Sequence, residues 1–194
     1  NELSKYLCNT STEGISSDEL CLLYMYLLYQ GFTKHEICEL KLSDVISSNN
    51  YVLIKNSRIA VKVYDEFKPL LNKVCKNRIY AKMSIYDNTS VKMNELLISL
   101  GDFPSERALY KIPRIISRKV LPNIKFRVDD LFIMGRVYEG KLFNKTLNEI
   151  YRDIEESIPG NKVQFKKRMK LIYDNKFTNR DFLYLCREKI WHNK

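Results

Sequence analysis

Leu28-Tyr29-Gln30-Gly31-Phe32-Thr33-Lys34-His35-Glu36-Ile37-Cys38-Glu39-Leu40-Lys41-Leu42-Ser43-Asp44 decides how the fold is read. Upstream, Ser16-Ser17-Asp18-Glu19 places small polar cap candidates before an apolar run, so a first helix is predicted from there to about Gln30. Gly31 suits its stop, because glycine takes the left-handed conformation that ends a helix at no steric cost. A short second helix is predicted over about 34–40, with Glu36 and Glu39 set among Ile37 and Leu40. Asp44-Val45-Ile46 then opens a β region, followed by the polar turn at 47–50. The runs 51–54 and 58–63 flank Lys55-Asn56-Ser57, and two β-rich runs separated by a few turn residues read as a hairpin.

From Tyr64 on, the pattern is helical almost to the end. Helices are predicted over about 65–76, 91–100, 106–111, 113–120, 128–143, 145–158, 163–173 and 179–191, with Pro113 in a first turn and Pro122 just past a helix end. The expected fold is mainly α with one small antiparallel β-sheet (α+β). No repeat or linker divides the chain, so it reads as one domain over 1–194. It begins with Asn1 and not Met, which we read as a fragment with a domain missing upstream.

The composition narrows the classes further. Of 194 residues, 45% are hydrophobic and 29% charged, a globular balance that excludes a disordered tail. The longest apolar run, from Leu20 to Tyr29, is about half of the roughly 18–20 residues a membrane span requires, so it reads as a core helix. No signal-peptide pattern is present, and the expected location is the cytoplasm, with no membrane contact. Five cysteines, Cys8, Cys21, Cys38, Cys75 and Cys186, are odd in number and form no CxxC pair. They read as small buried hydrophobes in a reducing compartment. His35 and His192 are the only histidines, without the spacing of a metal site, and no Gly-rich phosphate loop or hydrolase signature occurs. Neither metal nor cofactor is expected.

Lys+Arg exceed Asp+Glu by 33 to 23, a net charge of +10, and thirteen tyrosines and nine phenylalanines accompany them. A basic, aromatic-rich domain suits nucleic acid. Arg107, Lys111, Arg114, Arg118, Lys119, Lys125 and Arg127 form a run with no acidic residue among them. Phosphate contacts with one or two base-reading arginines are the functional reading, and a solvated face is the plainer one. For the later cluster Lys162, Lys166, Lys167, Arg168 and Lys170, which follows an acidic helix, a solvated face or an oligomer contact fits better than DNA.

The 28–44 stretch resembles the opening box of the tyrosine recombinase (phage integrase) catalytic domain. Gly31, Glu36, Leu40 and Asp44 stand at matching places, and the following hairpin, with Lys55 and Arg58 at its turn, matches in order. The resemblance covers most of the chain in element order and is residue-specific over about 22–71. It implies a scaffold that clasps duplex DNA. It also implies a site with two phosphate-clamping arginines, a lysine, a histidine and a nucleophilic tyrosine, because fixed cations must hold the charge that develops on the phosphate. This chain departs from that pattern. Thr33 stands at the first arginine position. Asp129-Asp130-Leu131-Phe132 stands for the second box, with a carboxylate at the histidine place and a phenyl ring at the second arginine place. Tyr173 is the nearest candidate nucleophile, with Tyr184 behind it, and Lys55 is the one retained cation.

The expectation is therefore a catalytically inactive, recombinase-like protein that binds double-stranded DNA as a transcriptional regulator, a repressor of phage lytic genes. The residues expected at DNA are Lys34, His35, Lys55, Arg58, Lys111, Arg114, Arg118, Lys119, Lys125, Arg127 and Arg136. Self-association or a protein or peptide antagonist is a further expected partnership. Two alternatives stand beside it. One is a divergent working recombinase with Tyr173 as nucleophile, Lys55, and displaced cations such as Lys34 and Arg136. The other is a protein-interaction module that does not touch DNA.

Overall fold

The computed structural model describes residues 15–48, 51–84, 95–98, 111–112, 128–157 and 161–174. Contacts divide the chain into two units, Asn1–Tyr24 with Lys34–Leu109, and Met25–Thr33 with Tyr110–Lys194. The first helix, α1 (Ser17–Tyr29), contributes its early turns to one unit and its last turn to the other. Every residue from Leu20 to Tyr29 is buried, so this stretch of the helix has no wet face, as a core helix should not.

In the first unit, α1 starts on a capping box. Glu19 N–H donates to Ser16 Oγ at 3.2 Å, and Ser16 N–H donates to Glu19 Oε2 at 2.7 Å. Glu19 is only 7% exposed, and Lys73 of α3 (Lys68–Ser84) neutralises it at 2.8 and 3.0 Å. Helix α2 (Lys34–Glu39) leads through a 3₁₀ turn at Leu42–Asp44 into β1 (Val45–Ser47), β2 (Val52–Lys55) and β3 (Ala60–Lys62). The strands form an antiparallel meander in which Val45 pairs with Ile54, and Ile54 with Val61. Side chains alternate across a strand, so Val52, Ile54 and Val61 are buried on one face. Leu53, Lys55, Ala60 and Lys62 take the other.

In the second unit, the end of α1 is a Schellman motif. Phe32 N–H donates to Leu27 C=O at 3.1 Å, Gly31 N–H donates to Leu28 C=O at 3.0 Å, and Gly31 has φ +98°. Helix α4 (Val128–Leu142) ends the same way, with Lys145 N–H on Gly140 C=O and Asn144 N–H on Lys141 C=O. Asn144, at φ 54°, takes the left-handed place there. Thr146 then caps α5 (Leu147–Ile154), and α6 is Lys162–Asp174. These three helices enclose a core of Phe132, Ile133, Val137, Ile150, Ile154, Phe165 and Met169.

The mostly helical α+β architecture agrees with the sequence reading, and two local expectations are corrected. No α-helix covers 95–98, where Glu95 lies in a 3₁₀ turn. Leu96 forms an antiparallel bridge with Lys41, and Leu97 N–H donates to Leu40 C=O at 2.7 Å. The helix expected at 65–76 begins as a 3₁₀ turn at Asp65–Phe67 and runs on to Ser84. Cys21 is buried and Cys38 and Cys75 are half-buried, and burial pushes the Cys75 thiol up to about 11. Among the described residues no helix is long and apolar enough to cross a membrane, and no group of His, Cys, Asp or Glu could hold a metal ion.

Candidate nucleic-acid interface

Four of the residues singled out in the sequence come together in the first unit. Asn56 builds the hairpin tip, because its Oδ1 accepts from Arg58 N–H at 2.9 Å and Ile59 N–H at 2.8 Å. This side-chain turn moves the reversal to 56–59. Lys55 becomes the last residue of β2, and Arg58 sits at the tip. From there the Arg58 guanidinium reaches Glu36 of α2 in a fork, Nε to Oε1 and NH2 to Oε2, both at 2.6 Å. The fork fixes the tip against the helix that carries Lys34 and His35. His35 is exposed, with Nδ1 3.0 Å from Glu39 Oε2, and Lys34 is half-exposed in the first turn.

The outer sheet face adds a cation that the sequence reading passed over. Lys62 lies diagonally from Lys55, since Lys55 pairs with Ala60 and Leu53 with Lys62, and both lysines are exposed. The alternation of β2 and β3 carries the signal, since Lys55 and Lys62 fall on the same face. Asp65 stands near Lys62. Hydrogen bonding and charge from Lys68, with Lys62 adding less, hold the Asp65 carboxyl below its ordinary value.

The second unit treats its candidates differently. Arg136 has its NH2 on the Gln30 carbonyl at 2.6 Å and its NH1 2.8 Å from Glu139. Its guanidinium lies where a Cβ on Gly31 would be, at 2.6 Å from Cζ. A cation on the last carbonyls of a helix meets the negative end of the helix dipole, which gives Arg136 a capping role. Lys111 is exposed in a helical segment. Asp129 is exposed, whereas Phe132 is a core residue set edge-on to Phe165 at 6.5 Å. Tyr173 donates through its hydroxyl to the Lys145 carbonyl at 3.4 Å, with Lys141 Nζ 4.6 Å over its ring. Thr33 is half-exposed just beyond the end of α1. Arg114, Arg118, Lys119, Lys125, Arg127, Tyr184 and His192 lie outside the described residues.

One strong pair escaped the sequence reading altogether. Asp130, 2% exposed, accepts a fork from Arg168 of α6 at 2.6 and 2.7 Å. The hydrogen bond to Asp130 raises the Arg168 pKa above its already high ordinary value. Compared with family models, with curated proteins and with solved structures, the chain has no match in any of the three.

Proposed function

We propose that the chain is a sequence-specific double-stranded-DNA-binding regulator, a repressor on a tyrosine-recombinase-like scaffold that does not cleave DNA. The observation that carries this reading is the outer face of the three-stranded sheet. Lys55 and Lys62 stand there together, and the Arg58–Glu36 fork links the hairpin tip to the helix bearing Lys34 and His35. Exposed cations on a rigid frame suit phosphate contacts, which position a protein on duplex DNA. The absence of cleavage is supported by Thr33 and by Phe132, an uncharged side chain and a buried ring at the two places where the resemblance calls for arginine. Within the tyrosine-recombinase-like proteins, the chain resembles the integrase-like master repressor of SPbeta-type prophages. That resemblance points to a role in keeping lytic genes silent.

One duplex substrate tests both halves of the proposal. On a nicked suicide duplex, binding is read by anisotropy at two salt concentrations and covalent capture by denaturing electrophoresis. Log K should fall with log salt by about 0.9 per neutralised phosphate, and Lys55→Ala with Lys62→Ala should flatten that slope by about 1–2 units. An unchanged slope and affinity in a double variant with the wild-type melting temperature removes this face from the interface. A denaturation-resistant adduct that disappears in Tyr173→Phe identifies a working recombinase.

A further inference from the structure

Helix α6 has two contrasting sides. Phe165 and Met169 enter the core of the second unit, and Arg168 reaches Asp130. Val163, Lys166, Lys167 and Lys170, at steps of three and four residues, form a second stripe, and all four are exposed. This stripe borders a groove of about 300 Å³ against α5. Leu147, Tyr151 and Val163 give the groove an apolar floor, and Val163 is 66% exposed. Four lysines rim it. Lys162 is shared with Glu155 at 3.3 Å, and Lys166 lies 4.9 Å over the Tyr151 ring. Lys167 and Lys170 are both exposed on the rim.

The two chemistries of the groove restrict what can fill it. A bare phosphate backbone would answer the lysines and leave the floor wet. A purely apolar ligand would cover the floor and leave the charges without counterparts. An apolar centre within a charged rim is the anatomy of a protein-docking surface. We infer that this groove binds a short acidic amphipathic segment of a partner protein. One or two large apolar side chains rest on Leu147, Tyr151 and Val163, and flanking carboxylates meet Lys167 and Lys170. The rim from Lys162 to Lys170 spans about 12 Å at the helical rise, so the segment in contact is about two helical turns. This inference stands independently of the DNA-binding proposal, since it uses other residues and another partner.

The probe is a labelled peptide of about twelve residues, Phe and Leu at i, i+4 spacing and Glu elsewhere. It is titrated into the full chain by anisotropy and, with isotope-labelled protein, by chemical-shift mapping. Saturable binding is expected, with the first shifts at Tyr151, Val163 and Lys167. Lys167→Glu with Lys170→Glu should weaken binding at least about tenfold, and a peptide carrying Lys in place of Glu should recover it on that variant. Val163→Asp is the second variant, and the mapping on wild-type protein needs no variant at all. The proposal is overturned by no binding up to about millimolar peptide, by equal binding of an all-Glu peptide, or by shifts confined to other surfaces. It is overturned equally if the lysine variant loses duplex-DNA affinity while keeping the peptide, which assigns the rim to phosphate. A concentration-dependent dimer that the variant dissolves, in place of peptide binding, assigns the groove to a second copy.

Discussion

Arg58–Glu36 and Arg168–Asp130 are near copies in geometry. Each is a two-point fork, at 2.6 and 2.6 Å in the first unit and 2.6 and 2.7 Å in the second. Their surroundings differ. The Glu36 side chain keeps 18% of its exposure and that of Asp130 only 3%. Bond length therefore says little about what either pair contributes. A carboxylate removed from water depends on its partner, because without it a buried charge stays uncompensated. A carboxylate near the surface has water and salt ions as substitutes. The first fork orients a surface hairpin, and the second joins α4 to α6.

The largest effect should come from Arg168→Leu, which takes the two-point fork away from the buried Asp130. We expect unfolding free energy to fall by about 3 kcal/mol, read from urea denaturation. Replacing both partners, Asp130→Leu with Arg168→Leu, should recover most of that loss, since neither charge is then left unpaired. If the single variant costs no more than an exposed pair would, burial is not what separates the two forks.

The capping box of α5 comes next and separates burial from bonding. Glu149 Oε2 accepts from Thr146 N–H at 2.7 Å and from its hydroxyl at 2.6 Å, all at the surface. Thr146→Ala should cost about 1 kcal/mol, checked by thermal melts. The Thr146 hydroxyl, and then its backbone N–H, hold the Glu149 carboxyl below its ordinary value near 4.5. A lowered carboxyl contributes stability that is complete above the unfolded value and is lost as pH falls through the folded one. The variant should therefore show a flatter stability curve below about pH 4.5 than wild type. Parallel curves in both proteins would assign the acid sensitivity to other groups.

Smallest is the coupling in the first fork. A double-mutant cycle on Glu36→Gln and Arg58→Ala should return less than about 1 kcal/mol and shrink with added salt, while the Arg168–Asp130 cycle holds. The same Glu36→Gln change removes a negative charge beside the hairpin and releases the Arg58 fork. On the DNA-binding proposal, duplex affinity should then rise about threefold to tenfold at low salt, read by anisotropy. An unchanged affinity would place the DNA contacts away from this tip.

These contrasts also mark where the sequence could be read. Ser16 and Gly31 act through backbone groups a few residues away, so cap and stop are legible along the chain. The hairpin was visible as well, but its tip was displaced by one Asn56 side chain that takes two backbone donors. Leu96, Leu97 and Ile98 form a short apolar run whose periodicity fits a helix or a strand equally. Only the distant partner at Lys41 decides between them. Asp130 and Arg168 are separated by 38 positions and no spacing rule joins them. In Asp129-Asp130-Leu131-Phe132, adjacency along the chain suggests one motif. The helix turns Asp129 outward and buries Asp130 and Phe132.

Gly31 and Arg136 occupy one small volume between them. A methyl group on residue 31 would meet the guanidinium at 2.6–2.9 Å, in a backbone conformation that already disfavours side chains. The two positions are therefore bound as neighbours in any lineage this chain founds. A larger residue at 31 would have to push the arginine at 136 aside and would still carry the strain of its own backbone. A shortened residue at 136 in turn leaves the Gln30 carbonyl in need of another donor. Glycine at 31 is therefore held on two independent grounds, and a change at 136 relieves only one of them.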